Sequence, residues 1–188
     1  MKKRILIWEI GGVLFLIFFG SFVHFTYELS NYNPVVALFS AVNESVWEHL
    51  KLGFWSMVVF MFIEYYFLKK EVNNFFFSKA VGILSMEIFI PLFFYSYTFI
   101  TNESIFVLDI FSYIVSSIIA QAISYKFLTS GKLDKRFEII GILFFVLGAI
   151  NFWIFTYYPP KLGIFREESS GRYGTEWNYK REGESHEH

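Results

Sequence analysis

The chain has 188 residues, 55% of them hydrophobic and 23% aromatic, with 26 Phe, 4 Pro and no Cys. Its formal net charge of −1 offers no basic face for a nucleic acid. Without Cys there is no disulfide, thiolate metal ligand or Cys nucleophile. Long uncharged apolar runs account for most of the length and leave no room for a separate soluble enzyme domain.

The first apolar run covers residues 5–29 and follows Met1-Lys2-Lys3-Arg4. It is too long for a signal-peptide core and has no small-x-small cleavage site, so it is read as a retained first span. Further runs cover 47–68, 74–100, 105–128 and 137–158. Each is long enough to cross a hydrocarbon layer of about 30 Å, and none shows the alternation of a strand. The expected fold is all-α: an integral membrane helical bundle of about five transmembrane helices in a domain over 1–160. A polar extracytoplasmic tail, partly disordered, is expected over 161–188. Its closing Glu184-Ser185-His186-Glu187-His188 reads as solvated rather than metal-bound.

Basic residues set the expected orientation. Lys2, Lys3 and Arg4 precede the first span, Lys69 and Lys70 follow the second, and Lys126, Lys132, Lys135 and Arg136 lie around the loop between the fourth and fifth. The Thr101-Asn102-Glu103-Ser104 turn has none. The positive-inside rule then places the N-terminus inside and the C-terminus outside.

Between the first and second spans, Ser30 to Val42 is too short to cross, and Asn33-Pro34 marks a turn. It reads as an outer loop, an interfacial piece or a re-entrant hairpin. Asn43-Glu44-Ser45-Val46-Trp47-Glu48-His49-Leu50-Lys51 follows, with Ser45 and Glu48 spaced as a capping box. Charge beside a bilayer is costly and is kept for a reason. His24 and Glu28 are four apart, as are Glu44 and Glu48. Such pairs can each supply two ligands from one helix face. With His49 they form a candidate set for a divalent cation: zinc, manganese or ferrous iron. One free carboxylate, Glu48 or Glu44, would then serve as base to a metal-bound water.

Helical spacing puts Glu9, Gly12, Gly20, His24, Tyr27 and Glu28 on one side of the first span. In the second, Glu44, Glu48 and Lys51 form one stripe, with His49 turned toward Ser45. The fourth span has Asp109, Tyr113, Ser116, Ser117, Ala120, Gln121 and Ser124 in a stripe. Small and hydroxylated residues of this kind suit helix packing. Glu87, Asp109 and Asn151 give an alternative polar pathway for a proton- or ion-coupled transporter, for which a narrow bundle would need a homo-oligomer. Glu9 and Glu64 lie nearer the inner ends and are expected as interfacial groups or as partners of Lys3, Arg4, Lys69 and Lys70. In a third reading the charged block only caps a helix and holds the bundle together, and the tail docks a protein partner.

His24-Phe25-x-x-Glu28, Asn33-Pro34, the block from Asn43 to Lys51, Tyr157-Tyr158-Pro159-Pro160, Phe165 and Gly171-x-Tyr173-Gly174 resemble a known family. It consists of small bacterial and archaeal multi-spanning membrane proteins catalogued as a domain of unknown function. The resemblance implies a multi-pass protein of a prokaryotic cytoplasmic membrane, with the lipid bilayer as its first partner. It implies no activity, ligand or catalytic residue.

Overall fold

In a computed structural model of the protein, residues 2–175 are described. The expectation of a solvated tail over 176–188, including His186 and His188, lies outside the described residues. Five long helices form the molecule: α1 (Lys2–Leu29), α3 (Val46–Leu68), α4 (Phe75–Thr101), α5 (Phe106–Leu128) and α6 (Lys135–Tyr157). A short helix, α2 (Pro34–Ala37), and a 3₁₀ turn (Gly163–Phe165) complete it. Among the described residues there is no sheet, only an isolated bridge between Arg166 and Tyr173. All five long helices are long and apolar enough to cross a membrane. A helix satisfies its own backbone, which is what an apolar surround demands.

The helices close around α3. Neighbouring pairs are α1 with α3 and α5, and α4 with α3, α5 and α6. The closest approaches are set by glycine. A Cβ on Gly82 would stand 2.7 Å from the Ala120 carbonyl oxygen, and one on Gly141 would collide with the backbone of Phe76 and Phe77. So α4 meets α5 and α6 nearly backbone to backbone, as small residues permit. Against α6, α3 packs through large rings instead: Phe54 on Phe145 and Phe152, with centroids 5.8 and 5.0 Å away, and Trp55 stacked on Trp153 at 5.7 Å. Phe18, Phe22, Phe62, Leu92 and Phe99 point outward, giving the bundle an apolar exterior.

Of the residues expected to share a helix face, most turn inward, while Glu28 is exposed and His24, Asp109 and Tyr113 are partly so. Glu9, Gly12, Gly20 and Tyr27 of α1 are buried, as are Ser116, Ser117, Ala120, Gln121 and Ser124 of α5. The expected cap of α3 is corrected. Ser45 is the N-cap residue but its hydroxyl makes no capping bond, because the Glu48 carboxylate instead accepts from Val42 N at 3.1 Å and pairs with Lys51.

The two ends of the bundle are built differently. At the basic end Arg4 pairs with Glu71, and Asn74 holds the α5–α6 loop by donating to the Gly131 carbonyl at 2.9 Å and accepting from Leu133 N at 2.8 Å. At the other end, the connection from α1 to α3 folds back into the protein. Asn33 caps α2 by accepting from Val35 N at 2.8 Å, with Pro34 in the first turn. Ser40, fully buried, donates to the Val23 carbonyl at 2.6 Å and accepts from Tyr27 N at 3.1 Å. The segment is therefore anchored to the protein through buried Ala37, Ser40 and Ala41, while residues 31–35 stay exposed.

Candidate metal centre

Three groups meet at this loop-covered end. His24 comes from the last two turns of α1, Glu44 from the connection just before α3, and His49 from the first turn of α3. Glu44 Oε2 lies 3.4 Å from His24 Nε2 and 3.6 Å from His49 Nε2. One donor atom from each residue lies within 4.8 Å of the others, a set capable of holding a metal ion. The two edges from Glu44, 3.4 and 3.6 Å, are close to the roughly 3.4 Å of a tetrahedral centre with bonds of about 2.0–2.1 Å. The two imidazole rings are 5.7 Å apart.

The tautomer of His49 sharpens this chemistry. Its Nδ1 lies 3.0 Å from the Ser45 carbonyl oxygen. A carbonyl only accepts, so Nδ1 carries a proton, and whenever the ring is neutral its Nε2 presents a lone pair toward Glu44. A lone pair and a carboxylate at that distance call for a positive charge between them, either a proton or a metal cation. Orientation of a ligating His by a backbone carbonyl is the usual outer support of a metal site. On Glu44, the hydrogen bond from His24 is the largest influence, and with the nearby imidazoles it holds the carboxyl below its ordinary range despite partial burial.

The site opens into a cleft of about 250 Å³ whose walls include Glu28, Tyr32, Asn43, Glu167 and Arg172. Its outer wall is the chain after α6. Asn43 Nδ2 donates to the Gly174 carbonyl at 3.0 Å, and Glu44 N donates to Glu167 Oε1 at 3.4 Å. Trp47 anchors the same segment between Phe152 and Phe165, at 4.7 and 4.6 Å. Thus residues after Pro160, expected as tail, help enclose the cleft through Glu167, Arg172 and Gly174.

The other expected ligands are placed differently. Glu28 is exposed on the cleft wall, outside the triad. Glu48 is buried and sits 2.5 Å from Lys51 Nζ. Lys51 also donates to the Ala37 carbonyl and Thr156 Oγ1, each at 2.9 Å. Helical extrapolation placed Glu44, Glu48 and Lys51 on one stripe. Glu44 departs from it because it precedes the helix, and its φ/ψ is free to turn it toward His49.

Of the pathway residues, Asp109 accepts from Tyr97 Oη at 2.5 Å and lies within electrostatic range of Glu44 and His49. Glu87 is half-buried and makes no hydrogen bond or ion pair among the described residues, while Pro91 deprives its backbone carbonyl of the helical donor. Asn151 is exposed on α6.

A second polar cluster lies toward the basic end. Lys79 Nζ stands 2.8 Å from Glu9 Oε1 and 2.5 Å from Glu64 Oε2. Gln121 Oε1 accepts from Lys79 at 3.3 Å, and Ser124 donates to Glu9 Oε1 at 3.0 Å. All five residues are buried. This corrects the expectation that Glu9 and Glu64 pair with Lys3, Arg4, Lys69 or Lys70 at the interface. Burial of both acids left them only an internal cation. Sequence reading missed Lys79, although a lysine more than a turn inside an apolar run was a visible signal.

No curated protein and no solved structure shows a significant match to the chain. Residues 1–175 match the model of a family of unknown function (DUF6512), and the chain belongs to that family.

Proposed function

We propose that this is a multi-pass membrane protein of a prokaryotic cytoplasmic membrane that binds a divalent metal ion through His24, Glu44 and His49. One observation carries the reading: a carboxylate set between two imidazole nitrogens at 3.4 and 3.6 Å, with one ring's proton committed to a backbone carbonyl. A mixed nitrogen and oxygen donor set suits zinc, manganese or ferrous iron. Three protein ligands would leave one position free for water or a polar ligand, as in a catalytic rather than a closed structural site, and two of them, His24 and Glu44, line the cleft. Glu28 and Glu167 stand on the cleft wall, where a carboxylate can take a proton from a water or polar ligand. The charge distribution supports an N-terminus inside and a C-terminus outside, so the cleft would open to the outer face. The membrane domain would then run over 1–160, with the following segment forming an outer cover.

The test is metal content by elemental analysis of tag-free protein in detergent, beside His24→Ala, His49→Ala and Glu44→Gln. Near-stoichiometric metal in the parent, lost in all three folded variants, is the expected result. A parent protein that holds no metal after incubation with zinc, manganese or ferrous iron would sink the reading.

A further inference from the structure

We infer that the Glu9–Lys79–Glu64 cluster is a second site, independent of the metal reading, and that it binds one exchangeable proton inside the bundle. Two carboxylates share a single ammonium, from α1, α3 and α4 respectively. With every group ionised, the cluster has a formal charge of −1. None of the three is accessible: their side chains are 0–3% exposed. An uncompensated charge at such a place is too costly to persist, and one proton on either acid removes it.

The hydrogen-bond pattern points the same way. Glu9 Oε2 and Glu64 Oε1 are buried and, among the described residues, have no hydrogen-bond partner. Gln121, 1% exposed, directs its carbonyl oxygen at Lys79, while its buried Nε2 meets no acceptor among the described residues. A bound proton turns one acid into a donor, which is what the unpartnered carboxylate oxygens lack. The remaining partner from α5 is Ser124, which donates to Glu9 Oε1. Charged groups thus reach the cluster from α1, α3 and α4, and α5 brings neutral ones.

Position makes exchange practicable. Glu64 lies four residues before Leu68, the end of α3, and Lys79 four residues after Phe75, the start of α4. At about 1.5 Å per residue, the cluster is roughly 6 Å inside the basic end. A proton needs to cross only about one helical turn to reach it. Buried acids of this kind are the working parts of proton-linked membrane proteins.

Infrared spectroscopy of the lipid-reconstituted protein tests this, reading the C=O stretch of protonated carboxyl groups from about pH 5 to about pH 10. A Glu87→Gln background removes the other carboxyl lodged mid-helix. The expected spectrum retains one carboxylic-acid band at neutral pH, sensitive to deuterium oxide, which disappears on alkalinisation with release of one proton. Glu9→Gln or Glu64→Gln should abolish that band or change its midpoint. Should either variant fail to fold, Ser124→Ala keeps all three charged groups and should still displace the band, because it removes one hydrogen bond to Glu9. No protonated-carboxyl band in the Glu87→Gln protein, or a band indifferent to Ser124→Ala and to each folded Gln variant, overturns the proposal. Stripping or loading metal should leave the band in place, so this result and the metal result can fail separately.

Discussion

The two polar clusters both set carboxylates against nitrogen bases, to opposite ends. In the His24–Glu44–His49 cluster the side chains are 23%, 57% and 28% exposed and a cleft adjoins them. In the Glu9–Lys79–Glu64 cluster they are 3%, 0% and 0% exposed. An exposed ion pair is screened by water and is worth little to the fold; a buried one is costly to break because the survivor is left unpaired. The first cluster is therefore free to be spent on a ligand, and the second is bound up with folding. Lys51 and Glu48 show how sharp the boundary is. They are buried within one turn of His49, yet belong energetically with the sealed cluster.

The widest separation between the two should come from Lys79→Met. It strands Glu9 and Glu64 and should destabilise the protein by about 3–5 kcal/mol, read from denaturant unfolding in micelles. Lys51→Met, which strands Glu48, should cost about 3 kcal/mol on the same assay while metal binding is preserved. A metal site lost with Lys51 would show that the two environments are not separable.

Glu44→Gln should do the reverse. Metal affinity should fall at least tenfold by competition with a chelating dye, with a stability change of about 0–1 kcal/mol in the metal-free protein. Acidity gives a smaller effect. Glu44 has a lowered folded value, so its stabilising contribution is complete above the ordinary carboxylate range and is lost as pH falls through that lowered value. Melting curves of parent and Glu44→Gln should stand furthest apart just above about pH 5, while Glu44 is ionised and His24 still holds its proton, and converge on acidification. A gap that widens toward low pH would contradict the pairing. Least affected should be Asn151→Leu, exposed on α6, with a change within about 0.5 kcal/mol in the same melts.

The inward stripe of α5, from Ser116 to Ser124, was legible because helical spacing alone decides which residues share a face. His24, Glu44 and His49 were legible as candidates because ionisable groups stand out against apolar neighbours. Their grouping was not. Periodicity assigned Glu44 to the Glu48 stripe, and spacing has no authority over a residue that precedes the helix. Glu9 and Glu64 were visible as acids, but their shared partner, Lys79, lies 70 and 15 positions away along the chain.

Sequence by itself determined the all-helical class, the five apolar helices and the polar residues that had to be accommodated. Composition and period suffice there, since both act within one helix. Only the tertiary structure decided which polar groups became partners, which were sealed from water and which were left beside a cleft. Those outcomes depend on loop geometry and on glycine-set distances between helices. They join residues far apart in the chain, and no local pattern encodes them.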